Sequence, residues 1–254
     1  MYMKVLITGA SSGIGKDMAR VLAKKADELV LVARNVEKLE EIKNELENDA
    51  KIEIISKDLS IEENCKEIHN QVQNVDILIN NAGFGDCGNF TKTSLEKDIN
   101  MIKTNIIAYH ILTKLYLTDM KEKNSGKILN VASIAGFMPG PLMATYYATK
   151  NYVVKLSEGI REELKKEKSK VQISILCPGP VETNFNKVAN VNFHLREANS
   201  MDVAKYAIRK LEKGKFYIVP GIDVKIAKFG AKILPENIIS KFAYMAQKRK
   251  LGGE

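Results

Sequence analysis

At three places in this chain a lysine follows a tyrosine by four residues, a spacing that places both side chains on one face of a helix. The pairs are Tyr146/Lys150, Tyr206/Lys210 and Tyr244/Lys248. A free tyrosine has a pKa of about 10, which is too high for efficient proton transfer near neutral pH. An ammonium about 4.5 Å away favours the phenolate by on the order of 3–4 kcal/mol, enough to bring that pKa towards 7. Each pair is therefore a candidate acid and base, and its surroundings must decide whether it works.

Short β-branched segments alternate with longer amphipathic segments along the 254 residues. The predicted strands are Val5–Thr8, Leu29–Ala33, Ile52–Ser56, Ile77–Asn80, Ile128–Ala132, Ile173–Cys177 and a shorter Phe216–Val219. The predicted helices are Ile14–Lys25, Val36–Glu47, Glu62–Gln73, Leu95–Met120 and Tyr146–Glu167. This alternation predicts one α/β domain with a doubly wound parallel sheet of about seven strands and helices on both faces.

Composition and cysteine usage exclude several classes of protein. No apolar run approaches the roughly 18 residues of a membrane span, and Met1–Lys4 lead directly into the first predicted strand, so we expect no signal peptide. Cys65, Cys87 and Cys177 lie far apart and form no CxxC pair, and the three histidines are isolated, so we expect no disulfide framework and no metal site. A cytoplasmic protein is expected.

The net charge of +8 raises the question of nucleic acid. Most lysines interleave with glutamates in stretches such as "EKLEEIKNELE", which are typical of solvated helix faces, and no nucleic-acid-binding motif is present. We therefore expect no nucleic-acid partner. The charge can equally steer anionic ligands to the protein.

A glycine-rich turn follows the first predicted strand. "TGASSGIG" runs from Thr8 to Gly15, and a predicted helix begins at once. Gly9 permits a tight turn, while Gly13 and Gly15 allow the backbone to approach a pyrophosphate at the positive end of the helix. A glycine-rich loop without a ligand is the alternative. The position between a first strand and a first helix favours dinucleotide binding.

The place where ligands bind in parallel sheets indicates which of the three Tyr/Lys pairs belongs to a functional site. Ligands bind at the carboxyl ends of the strands, and Ser133 ends a predicted strand thirteen residues before Tyr146. Tyr206 lies in an amphipathic helix without a strand end nearby, and Tyr244 lies in the C-terminal tail. We therefore predict that Tyr146 and Lys150 form the pair that transfers a proton, and that Ser133 hydrogen-bonds the same reacting group of the ligand.

Taken together, several motifs resemble those of the short-chain dehydrogenases/reductases. These are "TGASSGIG", "NNAG" (Asn80–Gly83), Ser133, Tyr146-x-x-x-Lys150 and "PGPVET" (Pro178–Thr183), and the resemblance runs from about residue 4 to residue 220. It implies a Rossmann fold and reversible hydride transfer between a nicotinamide and a carbonyl or alcohol. It also implies the catalytic set Asn105, Ser133, Tyr146 and Lys150, with Asn105 joining Lys150 to a proton relay and Lys150 holding the nicotinamide ribose.

The same resemblance implies a set of cofactor contacts. They are Gly9, Ser11, Ser12, Gly13, Ile14, Gly15, Arg34, Asn35, Asp58, Leu59, Asn81, Ala82, Gly83, Tyr146, Lys150, Pro178, Gly179, Val181 and Thr183. Asp58 is the residue that would contact the adenine, although it is equally suited to cap the helix after Ser60. The members from Asn81 to Gly83 would pass the adenosine ribose, and those from Pro178 to Thr183 would border the nicotinamide.

The end of the second predicted strand bears on cofactor preference. NAD enzymes place an acidic residue on the ribose 2′-hydroxyl about twenty residues past the glycine turn. Here the strand ends "LVARN", so that Arg34 and Asn35 occupy this place without an Asp or Glu. An arginine fork suits a 2′-phosphate, and we predict a preference for NADP(H) over NAD(H). A solvated arginine at a helix start is the alternative.

Two other functions share these features. A non-catalytic dinucleotide-binding scaffold or sensor keeps the fold but does not need the complete catalytic set. An epimerase or dehydratase uses the same Tyr/Lys pair, but such relatives usually have G-x-x-G-x-x-G and a longer substrate domain.

Phe137, Met138, Leu142 and Met143 precede Tyr146 and indicate an apolar ketone or alcohol, although core packing explains them almost as well.

The long predicted helices and the C-terminal tail provide expectations about how subunits of the protein assemble. The resemblance implies that Leu95–Met120 and Tyr146–Glu167 pair between subunits of a homodimer or homotetramer. Residues 221–254 are expected to form an amphipathic helical extension, in which Lys225, Lys228 and Lys232 share one face and Ile226, Phe229 and Ile233 the neighbouring one. We expect this tail to cover the pocket or a subunit interface. Reversible attachment to a membrane surface is the less favoured alternative.

Overall fold

Seven strands, each parallel to its neighbours, form one sheet in the computed structural model, which describes residues 2–183, 185, 189 and 197–250. They are β1 (Lys4–Thr8), β2 (Glu28–Ala33), β3 (Lys51–Ser56), β4 (Ile77–Asn80), β5 (Lys127–Val131), β6 (Gln172–Leu176) and β7 (Tyr217–Ile218). Their order across the sheet is β3-β2-β1-β4-β5-β6-β7. The order reverses between β1 and β4, which opens a crevice at the carboxyl ends of these two strands. The predicted doubly wound α/β sheet is confirmed.

The helices pack on both faces of this sheet. Within the described residues they are α1 (Gly13–Ala23), α2 (Val36–Leu46), α3 (Glu62–Gln71), α4 (Leu95–Ile102), α5 (Ala108–Glu122), α6 (Ala144–Lys166), α7 (Ser200–Glu212), α8 (Ile222–Ile233) and α9 (Glu236–Lys250). A short 3₁₀ turn (Ile134–Phe137) follows β5. No helix among these described residues is both long and apolar enough to cross a bilayer.

The prediction of one regular helix over Leu95–Met120 is wrong in its middle. A π-helical turn (Lys103–Ile107) joins α4 to α5, so the helix accommodates one wider turn. Asn105 lies in this turn and is fully buried, and its side chain hydrogen-bonds the backbone of Phe84. Such turns interrupt the regular hydrogen-bond ladder and are frequent at functional sites.

Two apolar layers hold the helices against the sheet. Val5 and Ile7 of β1 face one layer, which α1, α2 and α7 complete, whereas Leu6 faces the other layer with α3, α5 and α6. The alternation follows from the two-residue period of a strand, and burial on both faces explains the continuous apolar runs Val5–Ile7 in β1 and Leu29–Ala33 in β2. The core therefore fixes the strand ends from both sides.

A fully buried polar network lies in the centre of the sheet, below the carboxyl ends of the strands. Asn80 and Asn130 are directly opposite each other in β4 and β5, and Asn80 Nδ2 donates to Asn130 Oδ1 (2.9 Å) and to Thr113 Oγ1 (3.0 Å). Asn130 Nδ2 donates in turn to Ser157 Oγ (3.0 Å). The network ties β4 and β5 to α5 and α6, the elements that carry the candidate site.

We expect the substitution Asn130→Ala to lower the free energy of unfolding by about 2 kcal/mol, because it leaves Asn80 and Ser157 with fewer partners and opens a small cavity. Urea denaturation followed by circular dichroism measures the change. The control Asn237→Ala alters an exposed residue and should change the stability by less than about 0.5 kcal/mol. A loss in Asn130→Ala as small as that of the control would show that the network contributes no stability.

The C-terminal helices α8 and α9 lie beside the segment that follows β5. Val224 of α8 is buried against Gly179, and the Lys228 ammonium lies 4.7 Å from the centroid of the Phe137 ring. From α9, the buried Gln247 donates through Nε2 to the Tyr147 hydroxyl. The inner face of the tail is thus attached to residues next to Tyr146.

Candidate functional site

The glycine turn between β1 and α1 has the backbone conformation that only glycine adopts easily. Gly9 and Gly13 have positive φ angles of 64° and 53°. A Cβ atom on Gly9 would lie 2.7 Å from the Ala82 Cα, and one on Gly13 would lie 2.9 Å from the Thr183 Cγ2. These glycines therefore bring the turn close to the segments after β4 and β6.

The first turn of α1 points unpaired backbone amides into this crevice. Ser12 is the N-cap residue but makes no side-chain capping bond, and the first turn contains no acidic residue. The partial positive charge of the helix N-terminus is therefore not compensated by the chain itself. This arrangement fits the pyrophosphate of a dinucleotide.

Hydrogen bonds join the end of β1 to the turn after β4. The Thr8 hydroxyl accepts from the backbone amides of Asn81 (2.9 Å) and Ala82 (3.1 Å), and the Asn81 side chain donates to the carbonyl oxygens of Thr8 and Gly9. A Cβ on Gly15 would lie 2.4 Å from both the Asn81 Nδ2 and the Gly9 oxygen. Gly15 thus allows the close packing of the turn rather than lining the cavity. Sequence reasoning missed the role of Thr8.

Ser133, Tyr146 and Lys150 come together at the carboxyl end of β5. Ser133 follows the strand, its hydroxyl caps the 3₁₀ turn by accepting from the Ala135 amide (3.2 Å), and it also hydrogen-bonds Tyr146. The Lys150 ammonium donates to the Val131 carbonyl (2.9 Å) and lies 5.9 Å from the centroid of the Tyr146 ring. Both Tyr146 and Lys150 are buried, at 9% and 4% exposure.

Burial acts against the expected lowering of the Tyr146 pKa. Burial raises the pKa of Tyr146 above its usual value, while the hydrogen bond with Ser133 acts in the opposite direction. Burial also lowers the pKa of Lys150 to about 8, so that this ammonium is still protonated at neutral pH. The Tyr146 hydroxyl is therefore held in its neutral form, the form that donates a proton.

Asn105 does not line the cavity but holds residues of the site in place through hydrogen bonds. Its Oδ1 accepts from the Phe84 amide (3.1 Å), and its Nδ2 donates to the Phe84 carbonyl (2.9 Å) and to the Thr149 hydroxyl (3.1 Å). Thr149 in turn donates to the Tyr146 carbonyl (2.7 Å). A Cβ on Gly83 would lie 2.9 Å from the Asn105 Oδ1 and 3.5 Å from the Lys150 ammonium, so this glycine keeps both groups close.

One continuous cavity of about 360 Å³ runs from the end of β2 to Tyr146. Its lining contains most of the predicted residues, namely Gly9, Ser11, Ser12, Gly13, Ile14, Arg34, Asp58, Leu59, Asn81, Ala82, Gly83, Ser133, Tyr146, Lys150, Pro178, Gly179, Val181 and Thr183. Gly15, Asn35 and Asn105 do not line it. The volume lies within the range of small-molecule sites.

Arg34 and Asp58 form the far end of this cavity. The Arg34 guanidinium lies 3.8 Å from the Asp58 carboxylate, and the arginine side chain is 67% exposed. Asp58 also accepts from the Ser60 amide (2.9 Å), but its side chain does not cap α3, which begins with Ile61 as its N-cap residue. The predicted cofactor contact from Asn35 is not supported by its geometry, because its Oδ1 accepts from the Lys38 amide and caps α2.

The other end of the cavity is apolar. Phe84, Met143, Tyr147 and Phe185 line it around Tyr146, and the Phe185 ring centroid lies 5.2 Å from that of Tyr146. The sequence had indicated only Met143 among these four residues, because the others belong to three separate segments.

Phe137 and Met138, which the sequence placed near the reacting carbon, do not line the cavity at Tyr146. They line a second cavity, between the segment after β5 and the tail, together with Leu234 and Ile239. The Phe137 ring packs against the Lys228 ammonium rather than towards Tyr146. The backbone turns away after the 3₁₀ segment and returns only at Met143, the N-cap residue of α6.

The two other Tyr/Lys pairs have no such surroundings. Tyr206 and Lys210 lie on α7, where the lysine ammonium rests 5.4 Å from the centroid of the tyrosine ring. Tyr244 and Lys248 lie on α9, and Tyr244 is 46% exposed. Neither pair lines the cavity between β1 and Tyr146.

Comparison with known families agrees with this geometry. A model of the short chain dehydrogenase family matches residues 3–192, about three quarters of the chain. This chain is a short-chain dehydrogenase/reductase. It is 37% identical over 192 residues to human dehydrogenase/reductase SDR family member 7, a match that covers 72% of this chain and 56% of the human protein. The chain thus spans little more than half the length of that relative. As a family member it is an oxidoreductase.

Solved structures of other short-chain dehydrogenases/reductases have the same fold. The enzyme from Sphingobium yanoikuyae in complex with NADPH superposes with a TM-score of 0.83 and 28% identity, covering 91% of this chain and 93% of that chain. A family member from Burkholderia phymatum in complex with NAD gives a TM-score of 0.82 at 23% identity, covering 90% and 92%. The family fold therefore accommodates both nicotinamide cofactors.

Proposed function

We propose that this short-chain dehydrogenase/reductase is an NADP(H)-dependent enzyme that interconverts a carbonyl group and an alcohol on an apolar small molecule. The observation that carries the proposal is the position of Ser133, Tyr146 and Lys150, which meet where the polar part of the cavity changes into its apolar end. A scaffold that only bound a dinucleotide would have no need for a buried phenol, hydroxyl and ammonium at this place.

The chemistry divides between cofactor and protein. Nicotinamide, when bound, supplies or accepts the hydride at the substrate carbon. The Tyr146 hydroxyl is kept protonated by burial and donates its proton to the carbonyl oxygen, which Ser133 also hydrogen-bonds. In the reverse direction the phenolate form of Tyr146 would accept that proton.

Lys150 and Asn105 position this acid. The Lys150 ammonium faces Gly83 and the Tyr146 ring, where it can hold a ribose hydroxyl and stabilise a developing phenolate. Asn105 keeps the segment around Phe84 and the first turn of α6 in register through its hydrogen bonds to Phe84 and Thr149. We propose that it also continues the proton relay from Lys150 through water.

The dinucleotide would lie along the cavity from Arg34 to Tyr146. The uncapped amides of α1 would hold the pyrophosphate, the turn at Asn81 would contact the adenosine ribose, and the segment from Pro178 to Thr183 would border the nicotinamide. Asp58 and Leu59 would contact the adenine.

Preference for NADP(H) follows from the charge at the end of β2. Arg34 is exposed at the cavity rim, and its nearest acidic partner, Asp58, is 3.8 Å away and half-open to solvent. Such an exposed ion pair contributes little to the free energy of folding. The guanidinium can therefore leave Asp58 and bind a 2′-phosphate at a small cost in free energy.

We expect Arg34→Ala to weaken NADPH binding by about 10- to 100-fold while changing NADH binding by less than about threefold, since only NADPH carries the 2′-phosphate. Fluorescence titration with both cofactors measures this difference. Arg161→Ala serves as the control, because that arginine packs on Phe216 and does not line the cavity. Equal binding of both cofactors by the unaltered protein would disprove the preference.

The substrate is inferred from the apolar wall. Phe84, Met143, Tyr147 and Phe185 surround the reacting position, and among the residues that the structure describes no Arg or His lines the cavity apart from Arg34 at its far end. These residues favour a ketone, aldehyde or alcohol with apolar substituents over a carboxylate-bearing substrate. Loss of nicotinamide absorbance with a panel of carbonyl compounds tests the proposal, and turnover confined to anionic keto acids would contradict it.

Exposed side chains of α4 and the buried cysteines bear on the assembly and on the cellular location of this protein. We propose a homodimer or homotetramer formed through α4, α5 and α6, because Leu95 and Ile99 of α4 are 75% and 44% exposed and suit a subunit contact. Cys65, Cys87 and Cys177 are buried free thiols, which suits a cytoplasmic enzyme. Sedimentation velocity of the purified protein tests the assembly.

A further inference from the structure

The tail exposes an unusual amount of apolar surface. Fifteen large hydrophobic side chains are exposed within the described residues, and nine of them lie between residues 222 and 245. On α8 these are Ile222, Ile226, Phe229 and Ile233, each at least 62% exposed. Single exposed hydrophobic residues are ordinary on a protein surface, but a concentration of this kind marks a surface that binds something.

These side chains face away from the rest of the protein. On α8 the four residues recur at intervals of three and four, on the side of the helix opposite the packed residues Val224 and Lys228. On α9, Ile238, Phe242 and Met245 share one side in the same way, and the buried residues Ala243 and Gln247 occupy the opposite side. We call the outward residues of both helices the apolar stripe. The fold itself makes no use of it.

The charge around the apolar stripe restricts what can cover it. Residues 221–250 contain seven Lys or Arg and only two Asp or Glu, so that this segment contributes most of the chain's net charge of +8. Lys225 and Lys241 are exposed on α8 and α9. Whatever binds to the apolar stripe must therefore interact favourably with apolar side chains and with lysines at the same time.

A second copy of this chain is a poor occupant. A two-fold dimer through the apolar stripe would bring each basic segment against its own copy, and like charges would face one another. Lysine is also depleted from the cores of protein interfaces. An anionic bilayer surface avoids both difficulties, because apolar side chains enter the headgroup–acyl boundary while lysine stems extend to the phosphates.

We propose that α8 and α9 attach the protein reversibly to the surface of an anionic lipid bilayer through the apolar stripe and its neighbouring lysines. The inner faces of the two helices keep their contacts with Gly179, Phe137 and Tyr147 in this arrangement. The proposal is independent of the cofactor and the substrate. It replaces the expectation that the tail covers only the pocket or a subunit interface.

Co-sedimentation of the full chain with lipid vesicles tests the attachment. We expect the protein to sediment with vesicles of equal parts phosphatidylcholine and phosphatidylglycerol, and to stay in solution with phosphatidylcholine alone. Added salt should weaken the binding, because the lysines contribute through a screened charge interaction. An unaltered protein that does not sediment with the anionic vesicles would overturn the proposal.

Two double variants locate the binding surface. Phe229→Glu with Phe242→Glu places charges in the apolar stripe at residues that are 67% and 61% exposed, so the fold should be retained, and we expect a loss of vesicle affinity of about tenfold or more. Lys225→Glu with Lys241→Glu keeps the apolar stripe and should also weaken binding to anionic vesicles. The control Phe90→Glu changes a phenylalanine that is 66% exposed outside the tail and should bind like the unaltered protein.

The remaining outcomes decide between the occupants. Circular dichroism and thermal unfolding establish that each variant is folded, and light scattering without lipid gives its mass. Vesicle binding that survives both double variants would overturn the proposal. A fall in mass of the Phe229→Glu/Phe242→Glu variant relative to the unaltered protein would overturn it too, since the apolar stripe would then be an interface between copies. Equal masses together with lost vesicle binding would support it.

Discussion

Tyr146→Phe is expected to lower kcat for carbonyl reduction by about 1,000-fold, because it removes the proton that the reduced oxygen must receive. The phenylalanine ring keeps the contacts with Phe185 and Tyr147, whose centroids lie 5.2 and 6.1 Å away, so the cavity should not collapse. Affinity for NADPH should therefore change by less than about threefold. Steady-state assays and fluorescence titration measure the two quantities separately.

Two tyrosines provide matched controls for this experiment. Tyr206→Phe and Tyr244→Phe remove the same hydroxyl from residues that also have a lysine four positions later, on α7 and α9. Both variants should keep their activity within about twofold, since neither tyrosine lines the cavity. Turnover of Tyr146→Phe within about tenfold of the unaltered enzyme would remove Tyr146 from the role of acid.

Lys150→Met is expected to lower kcat/KM by about 100-fold or more and, at the same time, to raise stability at pH 7. The buried ammonium is costly, because burial lowers the pKa of Lys150 from 10.5 to about 8. That shift corresponds to about 3 kcal/mol of unfavourable charge burial, which methionine does not incur. The Val131 carbonyl would keep a hydrogen bond from the Tyr109 hydroxyl (3.2 Å).

The stability gain should depend on pH in a defined direction. Below pH 8 Lys150 is protonated in both the folded and unfolded states, so the full cost is present. Between pH 8 and 10.5 the unfolded chain binds more protons than the folded one, and the stability of the unaltered protein rises with pH. The advantage of Lys150→Met should therefore be greatest below pH 8 and vanish towards pH 10.5. Urea denaturation at several pH values measures it.

Lys155→Met is the appropriate control for this variant. Lys155 also lies on α6, but its side chain is 73% exposed and pairs with Glu158 at the surface. Its replacement should leave activity unchanged and alter stability by less than about 0.5 kcal/mol at any pH. A Lys150→Met protein no more stable than this control would show that the ammonium is not buried at a cost.

Much of the fold was predictable because its determinants are local. Apolar runs such as Val5–Thr8 and amphipathic runs such as Val36–Glu47 carry the period of their element in a few residues, and the strand-end rule then assembled Gly9, Ser133 and Tyr146 at one edge. The observed strand and helix ends differ from the predicted ones by at most two residues, since end hydrogen bonds depend on neighbours that the pattern does not contain.

Other features depend on contacts between distant parts of the chain. The π turn is accompanied by hydrogen bonds between Asn105 and Phe84, which are 21 residues apart in the sequence. The hydrophobic periodicity of the helix therefore does not predict this turn. Gln247 reaches Tyr147 across 100 residues. The direction of the Tyr146 pKa likewise depends on burial, whereas the sequence revealed only the nearby lysine.

The strand order has a consequence for synthesis on the ribosome. β1 to β4 occupy one contiguous part of the sheet and come from the first 80 residues, so the nascent chain can assemble the glycine turn with Arg34 and Asp58 before Tyr146 has been made. Until β5 arrives, however, the free edge of β4 offers unpaired amides and carbonyls beside the apolar side chains of Ile77–Asn80. Such an edge is a template for pairing with other chains, so the growing polypeptide is exposed to aggregation in the interval between β4 and β5, and a chaperone that covers this edge would protect it.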